Sequence, residues 1–505
     1  YSSSNKPLSD ITAADFGNKV EMLDKPTKAS ISKQDTAGSE ELPGAKLTIT
    51  APAGADLSRV YALNNEITIE GNKITFISKD EATEIYGLPE GEYTLEEDTA
   101  PLGYKVNSDA VSFTVGVFSY VSTEEEIGSE AAMVDELMTA NISKRSITGQ
   151  DELDGAMLTI KALDEQDLKD VTAYYIVTGE DYEISTDATT SVVTREYTST
   201  ATSVVQARNA DGSAKTDESG EPITEEHVTE ITFQSGNAET ILSRLWPGRY
   251  ELIENTAPAG YDKLDGTIKF TVDKLGIITI DEAPDGHSEL DGSTVIMRDD
   301  AIVSISKMDI TGQAELKGAK LTLTGVDSEG ASITFDKSAV DLGDEADFTD
   351  NDDTSKLEWK SGLSATTIKN LPDGTYTLHE SADTEGGKLV KLTDASGTEA
   401  EYTVIESDLT FTVKDGMIVD DDQFLQRNAE ADNTSDSYYA VEEGNMIYAC
   451  DSMFTRSLQI SKQAAADRYG VSWRAVNNMC VRVAEEALDR VDLLDGLVAI
   501  AVDEV

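Results

Sequence analysis

Residues 305–324 read ISKMDITGQAELKGAKLTLT, and the same twenty columns recur without a gap at 31–50 as ISKQDTAGSEELPGAKLTIT and at 142–161 as ISKRSITGQDELDGAMLTIK. Half of the columns are identical in all three copies. Such self-similarity marks tandem structural units. Each copy opens on a short run ending in Ser-Lys, turns through polar residues around Gly38, Gly149 or Gly312, and resumes in strict alternation, as in Leu47, Thr48, Ile49 and Thr50. Period two on the far side of a glycine turn predicts a β-hairpin at the head of each unit.

Three further blocks follow each hairpin in the same order. The second is LPEGEYTLEEDTAPLGY ending at Tyr104, LWPGRYELIENTAPAGY ending at Tyr261, and LPDGTYTLHESADTEGG ending at Gly387. A Pro-Gly turn there feeds a strand of pattern Tyr-x-Leu-x-Glu, so the Glu points where the apolar residues point. The third is VSFTVG from 111, IKFTVD from 268 and LTFTVK from 409, again alternating. The fourth is AMVDEL with Asp135, VIMRDD with Asp299 and FLQRNA with Asn428. The chain therefore reads as mainly β: tandem modules at 29–140, 141–303 and 304–430. The second module carries an extra stretch at about 171–234, expected to form one or two added hairpins. Residues 1–28 read as the closing strand of a preceding module, with Asp24 in the fourth-block position.

Length and charge bound the function. At roughly 100 to 200 residues per domain, 505 residues allow three to five domains. Lys plus Arg number 40 against 97 Asp plus Glu, a net charge of −57. That field repels phosphate backbones and anionic lipid, which argues against nucleic-acid partners. His227, His287 and His379 lie far apart in sequence and leave little for a His-based triad or zinc site. Two Cys exclude a disulfide scaffold and a four-Cys cluster. The acidic run at 341–353 lacks the Gly and Glu spacing of an EF-hand loop and reads as a solvated loop, so neither metal nor cofactor is expected. The longest apolar run, 497–502, is far below the ~20 residues that span a bilayer, so no membrane span is expected in this chain.

A Lys on the first strand, a Glu on an inward face and an Asp or Asn on the last strand recur in order. Taken singly, each reads as a surface residue; an ordered recurrence argues for a common site. If the three meet in an apolar core, desolvation lowers the pKa of the Lys and raises that of the Glu. A neutral amine beside a protonated acid can attack the side-chain carbonyl of the Asp or Asn, with the Glu shuttling protons. A buried ion-paired triad without covalent chemistry is the alternative.

The ISK-x-D, ELxGAxL and YTLxE..APxGY motifs and the closing Asp or Asn strand resemble those of the Cna protein B-type, SpaA-like or prealbumin-like domains of Gram-positive surface proteins and pilins, over about 29–430. The resemblance implies Ig-like or prealbumin-like β-sandwiches with an intramolecular isopeptide bond in each. The implied sets are Lys33 with Asp135 and Glu97, Lys144 with Asp299 and Glu254, and Lys307 with Asn428 and Glu380. The third box departs by lacking the Ala-Pro-x-Gly-Tyr ending. The sequence also lacks the Tyr-Pro-Lys-type pilin motif and the Leu-Pro-x-Thr-Gly sorting signal of polymerising pilins.

From 431 to 505 the pattern reads as a small helical segment. In QAAADRYGVSWRAVNNMCVRV, Ala466, Gly470 and Val476 sit at helix-turn-helix spacings beside Arg468, Arg474 and Arg482, yet in so acidic a chain a small helical bundle is the better reading. Cys450 and Cys480 either pair in a disulfide or stay as buried thiols. The expected function is an extracellular or cell-wall-attached stalk of an adhesin, pilin or filament, not an enzyme beyond single-turnover cross-linking. Its partners would be a host or matrix ligand, or sister subunits. The alternative is a ligand-binding or enzymatic surface protein that uses the modules as spacers.

Overall fold

The computed structural model describes residues 26–36, 40–116, 121–123, 127–128, 130–178, 190–207, 214–309, 314–349, 352–419, 437–442 and 445–453. The chain divides into two compact units, Tyr1–Asp300 with two modules and Ala301–Val505 with one. Each module is a pair of β-sheets with a core between them.

Strand order repeats from module to module. The strand that carries the Lys, Lys28–Asp35 in the first module, lies between Glu130–Asp135, which it pairs in parallel, and Thr83–Tyr86, antiparallel. In the second module Thr139–Ser146 lies between Thr294–Asp299 and Thr240–Ser243, and in the third Ile302–Asp309 lies between Met446–Met453 and Thr366–Lys369. The facing sheets are built on Lys46–Thr50, Met157–Ala162 and Lys320–Val326. These pair with the strands that carry the Glu, Gly91–Thr99, Gly248–Thr256 and Gly374–Ser381.

The alternating patterns produce this directly. Tyr93, Leu95 and Glu97 are all buried, as the Tyr-x-Leu-x-Glu pattern requires, while Glu92 and Glu96 face water. Each box Tyr stacks on the Phe of the third block: Tyr93 on Phe113 with ring centroids 5.3 Å apart, Tyr250 on Phe270 at 5.6 Å, and Tyr376 on Phe411 at 5.5 Å. Burying one such ring contributes about 1.5 to 3 kcal/mol. A phenol rather than a phenyl is needed because each hydroxyl donates to the carbonyl four residues earlier, Pro89, Trp246 or Pro372, at 2.8, 2.6 and 2.6 Å. The Tyr therefore ties its own entry turn to the core.

In the second module the added stretch forms two antiparallel hairpins, Thr172–Thr178 with Thr190–Thr194 and Ser199–Gln206 with Thr224–Gln234. The last of these strands pairs with Met157–Ala162, on the side that Lys73–Ile77 and Lys356–Lys360 take in the other modules. In the third module the missing Ala-Pro-x-Gly-Tyr ending is replaced by a hairpin, Leu389–Thr393 with Glu399–Thr403, and a small separate core.

The third module does not end at 430. Strands Tyr438–Glu442 and Met446–Met453 complete it, so a helical reading of 431–505 fails for these residues. Ile447, Ala449 and Asp451 alternate inward, a period-two signal that the Ala- and Arg-rich composition farther on outweighed. Cys450 is buried on this strand. Asp24, Asn428, Ala466, Arg468, Gly470, Arg474, Val476, Cys480 and Arg482 lie outside the described residues, so the Cys450 and Cys480 pairing does too.

Candidate functional site

Parallel pairing of the first and last strands sets the site. Lys33 stands opposite Met133, Lys144 opposite Met297 and Lys307 opposite Ala449. Two residues farther along each partner strand, on the same inward face, are Asp135, Asp299 and Asp451. The offset is the same in all three modules. In the third module the parallel register carries an acid to the position two beyond Ala449, and that acid is Asp451, whereas the expected Asn428 lies outside the described residues.

The side chains meet. Lys33 Nζ and Lys144 Nζ each touch an oxygen of their Asp, Asp135 and Asp299, and Lys307 Nζ lies 2.5 Å from Asp451 Oδ1. The expected Glu completes each set, with Oε1 3.2 Å from Lys33 for Glu97, 3.1 Å from Lys144 for Glu254 and 3.1 Å from Lys307 for Glu380. The other Glu oxygen accepts a backbone N–H from the stretch after the box: Asn107 at 2.7 Å, Leu264 at 2.8 Å and Ile405 at 3.2 Å. In the first two sets one oxygen is thus anchored while its twin faces the amine; in the third Lys307 Nζ also lies 3.2 Å from the anchored oxygen. All nine side chains are essentially out of water.

Burial decides the protonation. If all ionised, one Lys, one Glu and one Asp would leave a net negative charge in a site where each buried ion costs several kcal/mol. Burial pushes Asp135 up to about 7 against the pull of Lys33, and Asp299 likewise to about 7 against Lys144. Burial also holds the Asp451 carboxyl well above the carboxylate range. Lys307 departs from expectation: burial pulls its ammonium down, but Glu380 and Asp451 outweigh that and hold it above its ordinary value. In each set burial therefore favours the neutral form of the Asp.

The third site has a further wall. Ala449 replaces the Met133 and Met297 of the other modules, and its cross-strand neighbour on the far side is Tyr439, fully buried. Burial, with Glu380 and Asp451 nearby, pushes that phenol well above its usual range. Sequence reading also missed Glu41, Glu152 and Glu315, identical columns of the opening repeat. Glu41 and Glu152 accept hydrogen bonds from the backbone N–H of Lys33 and Lys144 at 2.9 and 3.0 Å, and Glu315 lies beside the Lys307 amide, its Oε2 without a hydrogen bond.

Known proteins place this architecture. No curated protein sequence matches the chain. Among solved structures, the Bacillus anthracis TIE protein is similar at 15% identity and a TM-score of 0.26, over 85% of this chain and 51% of its own. This chain thus spans about half the length of that protein. The C-terminal fragment of pilus adhesin SpaC from Lactobacillus rhamnosus GG matches at 17% and 0.24, over 55% of this chain and 96% of the fragment. The RrgB pilus protein from Streptococcus pneumoniae matches at 10% and 0.24, over 85% and 98%. At such scores the assignment rests on the family model for the SpaA prealbumin-like fold domain, which matches three times, at 27–126, 138–284 and 301–403. With that model matched once by each of the three modules, the chain belongs to the SpaA prealbumin-like fold domain family.

Proposed function

We propose that the chain is a structural stalk of a bacterial cell-surface adhesin or pilus, whose three modules each close an amide bond between Lys and Asp. The observation that carries this is the threefold set of Lys, Glu and Asp, buried, in contact, and held at one register offset. An unreacted triad would keep charge in the core; condensation removes it. The Lys ammonium first gives a proton to the facing Glu oxygen, leaving a neutral amine. Nζ then attacks Cγ of the protonated Asp, the Glu relays a proton to the departing hydroxyl, the C–O bond breaks and one water leaves. Proximity supplies the rate, since effective molarities of ~10⁵ to 10⁸ M are open to groups held this way. The reaction turns over once, and no other catalysis is proposed.

Such a bond suits a load-bearing role. Force applied at the ends of the first module would pass from Lys33 to Asp135 through the amide and bypass the chain between them. Closing a loop of 102 residues also removes unfolded-state entropy, about 4 to 5 kcal/mol on the estimate used for other cross-links. Single-molecule pulling tests this. The unmutated chain is expected to give no full-length unfolding step from any of the three modules, and Lys33→Ala one such step, from the first. Three full-length steps in the unmutated chain would defeat the stalk reading.

A further inference from the structure

The Lys strand of each module loses its antiparallel neighbour just before the Lys. Pairing on that side ends at Ile31, Ile142 and Ile305. Among the described residues no strand lies beside that edge beyond those points, only a single bridge in each module, Gln34 with Glu41, Arg145 with Glu152 and Met308 with Glu315, so its backbone groups need other partners. Residues eight and nine after the Lys supply them. Glu41 Oε2 accepts the Lys33 N–H at 2.9 Å, Glu41 Oε1 accepts the Ser32 hydroxyl at 2.5 Å, and the Leu42 N–H donates to Lys33 O at 2.6 Å. The second module repeats this with Glu152, Ser143, Lys144 and Leu153 at 3.0, 2.5 and 2.7 Å. In the third, Leu316 donates to Lys307 O at 2.7 Å, and Glu315 sits beside the Ser306 hydroxyl and the Lys307 amide, with its Oε2 left without a hydrogen bond.

Resting on the cross-link reading above, we propose that Glu41, Glu152 and Glu315 are positioning residues for amide formation. The Glu41 and Glu152 carboxylates each clamp the backbone N–H of the reactive Lys and the hydroxyl of the buried Ser before it, fixing the Cα from which a four-carbon stem must deliver Nζ between the Glu and the Asp. A flexible stem gives useful proximity only from a fixed root, and a displacement of about 1 Å can cost about 100-fold in rate. This accounts for the Glu-Leu pair among the identical columns of the repeat, which no inward packing of the Glu explains.

The test uses the full chain, freshly synthesised, with the Lys33–Asp135 linkage followed over time by intact mass and peptide mapping; the other two sites serve as internal controls. Glu41→Ala is expected to slow the first linkage by about 10- to 100-fold. Glu41→Gln keeps an oxygen for the Lys33 N–H and is expected to stay near the unmutated rate. Protease resistance of the first module reports its folding; if Ala prevents folding, Ser32→Ala takes its place and an intermediate slowing is expected. An unmutated rate in the folded Ala variant, or in Ser32→Ala where that stands in, overturns the clamp, as does a Gln variant as slow as Ala. A chain with no linkage at any site in the absence of mutation would instead overturn the cross-link reading, and the clamp with it.

Discussion

At the scale of residues, the account turns on which carboxyl holds a proton. Burial raises Asp135 and Asp299 to about 7, so each is the neutral, attackable acid below that pH and a resistant carboxylate above it. Linkage at the first two sites is accordingly expected to slow as pH rises through about 7, measured as mass loss against time in freshly made protein. A rate that climbs through that range would mean that freeing the Lys amine limits the reaction instead. Acceptor identity in the third module has its own test. Asp451→Asn is expected to release ammonia in place of water at that site, whereas Asn428→Ala leaves the loss unchanged. The Lys and Glu members were legible in sequence because each lies in a strongly repeated block. The acid that meets Lys307 was not: FLQRNA imitates the closing strand in composition, and only the parallel register with the Lys strand brings Asp451 to it.

At the scale of elements, the turn into each Glu strand admits no side chain. Gly248 has φ 152°, and a Cβ there would fall 1.4 Å from Gln166 Nε2; Gly91 has φ 155°, with Pro52 Cγ 2.6 Å from its would-be Cβ. Gly248→Ala must move Gln166 and strain the backbone at the point where Tyr250 and Glu254 are aimed, so a loss of about 1 to 3 kcal/mol is expected. Thermal melting with the second linkage blocked by Lys144→Ala reads it as a difference between the two backgrounds; an unchanged midpoint would show that the turn relaxes freely. Hairpins and inward faces were readable because a period of two leaves a clear trace. The hairpin at Leu389–Thr393 and Glu399–Thr403 was not, because it appears only as a missing motif, and the closing strand Met446–Met453 stands apart from its module in sequence.

At the scale of the whole molecule, three modules of one family, each with its own buried Lys, Glu and Asp, form the repeated unit of the proposed stalk. Their number was plain from the opening repeat; the true extent of the last was not, since its final strand follows a stretch with no counterpart in the other two. The covalent claim reduces to a mass. Condensation removes one water for every Lys–Asp pair, and the acid in contact with the Lys is an Asp in all three modules. The intact, folded protein is therefore predicted to weigh less than its sequence by three waters. A mass equal to that of the sequence would contradict the cross-links altogether, and a loss of two waters and one ammonia would contradict Asp451 as the third acceptor.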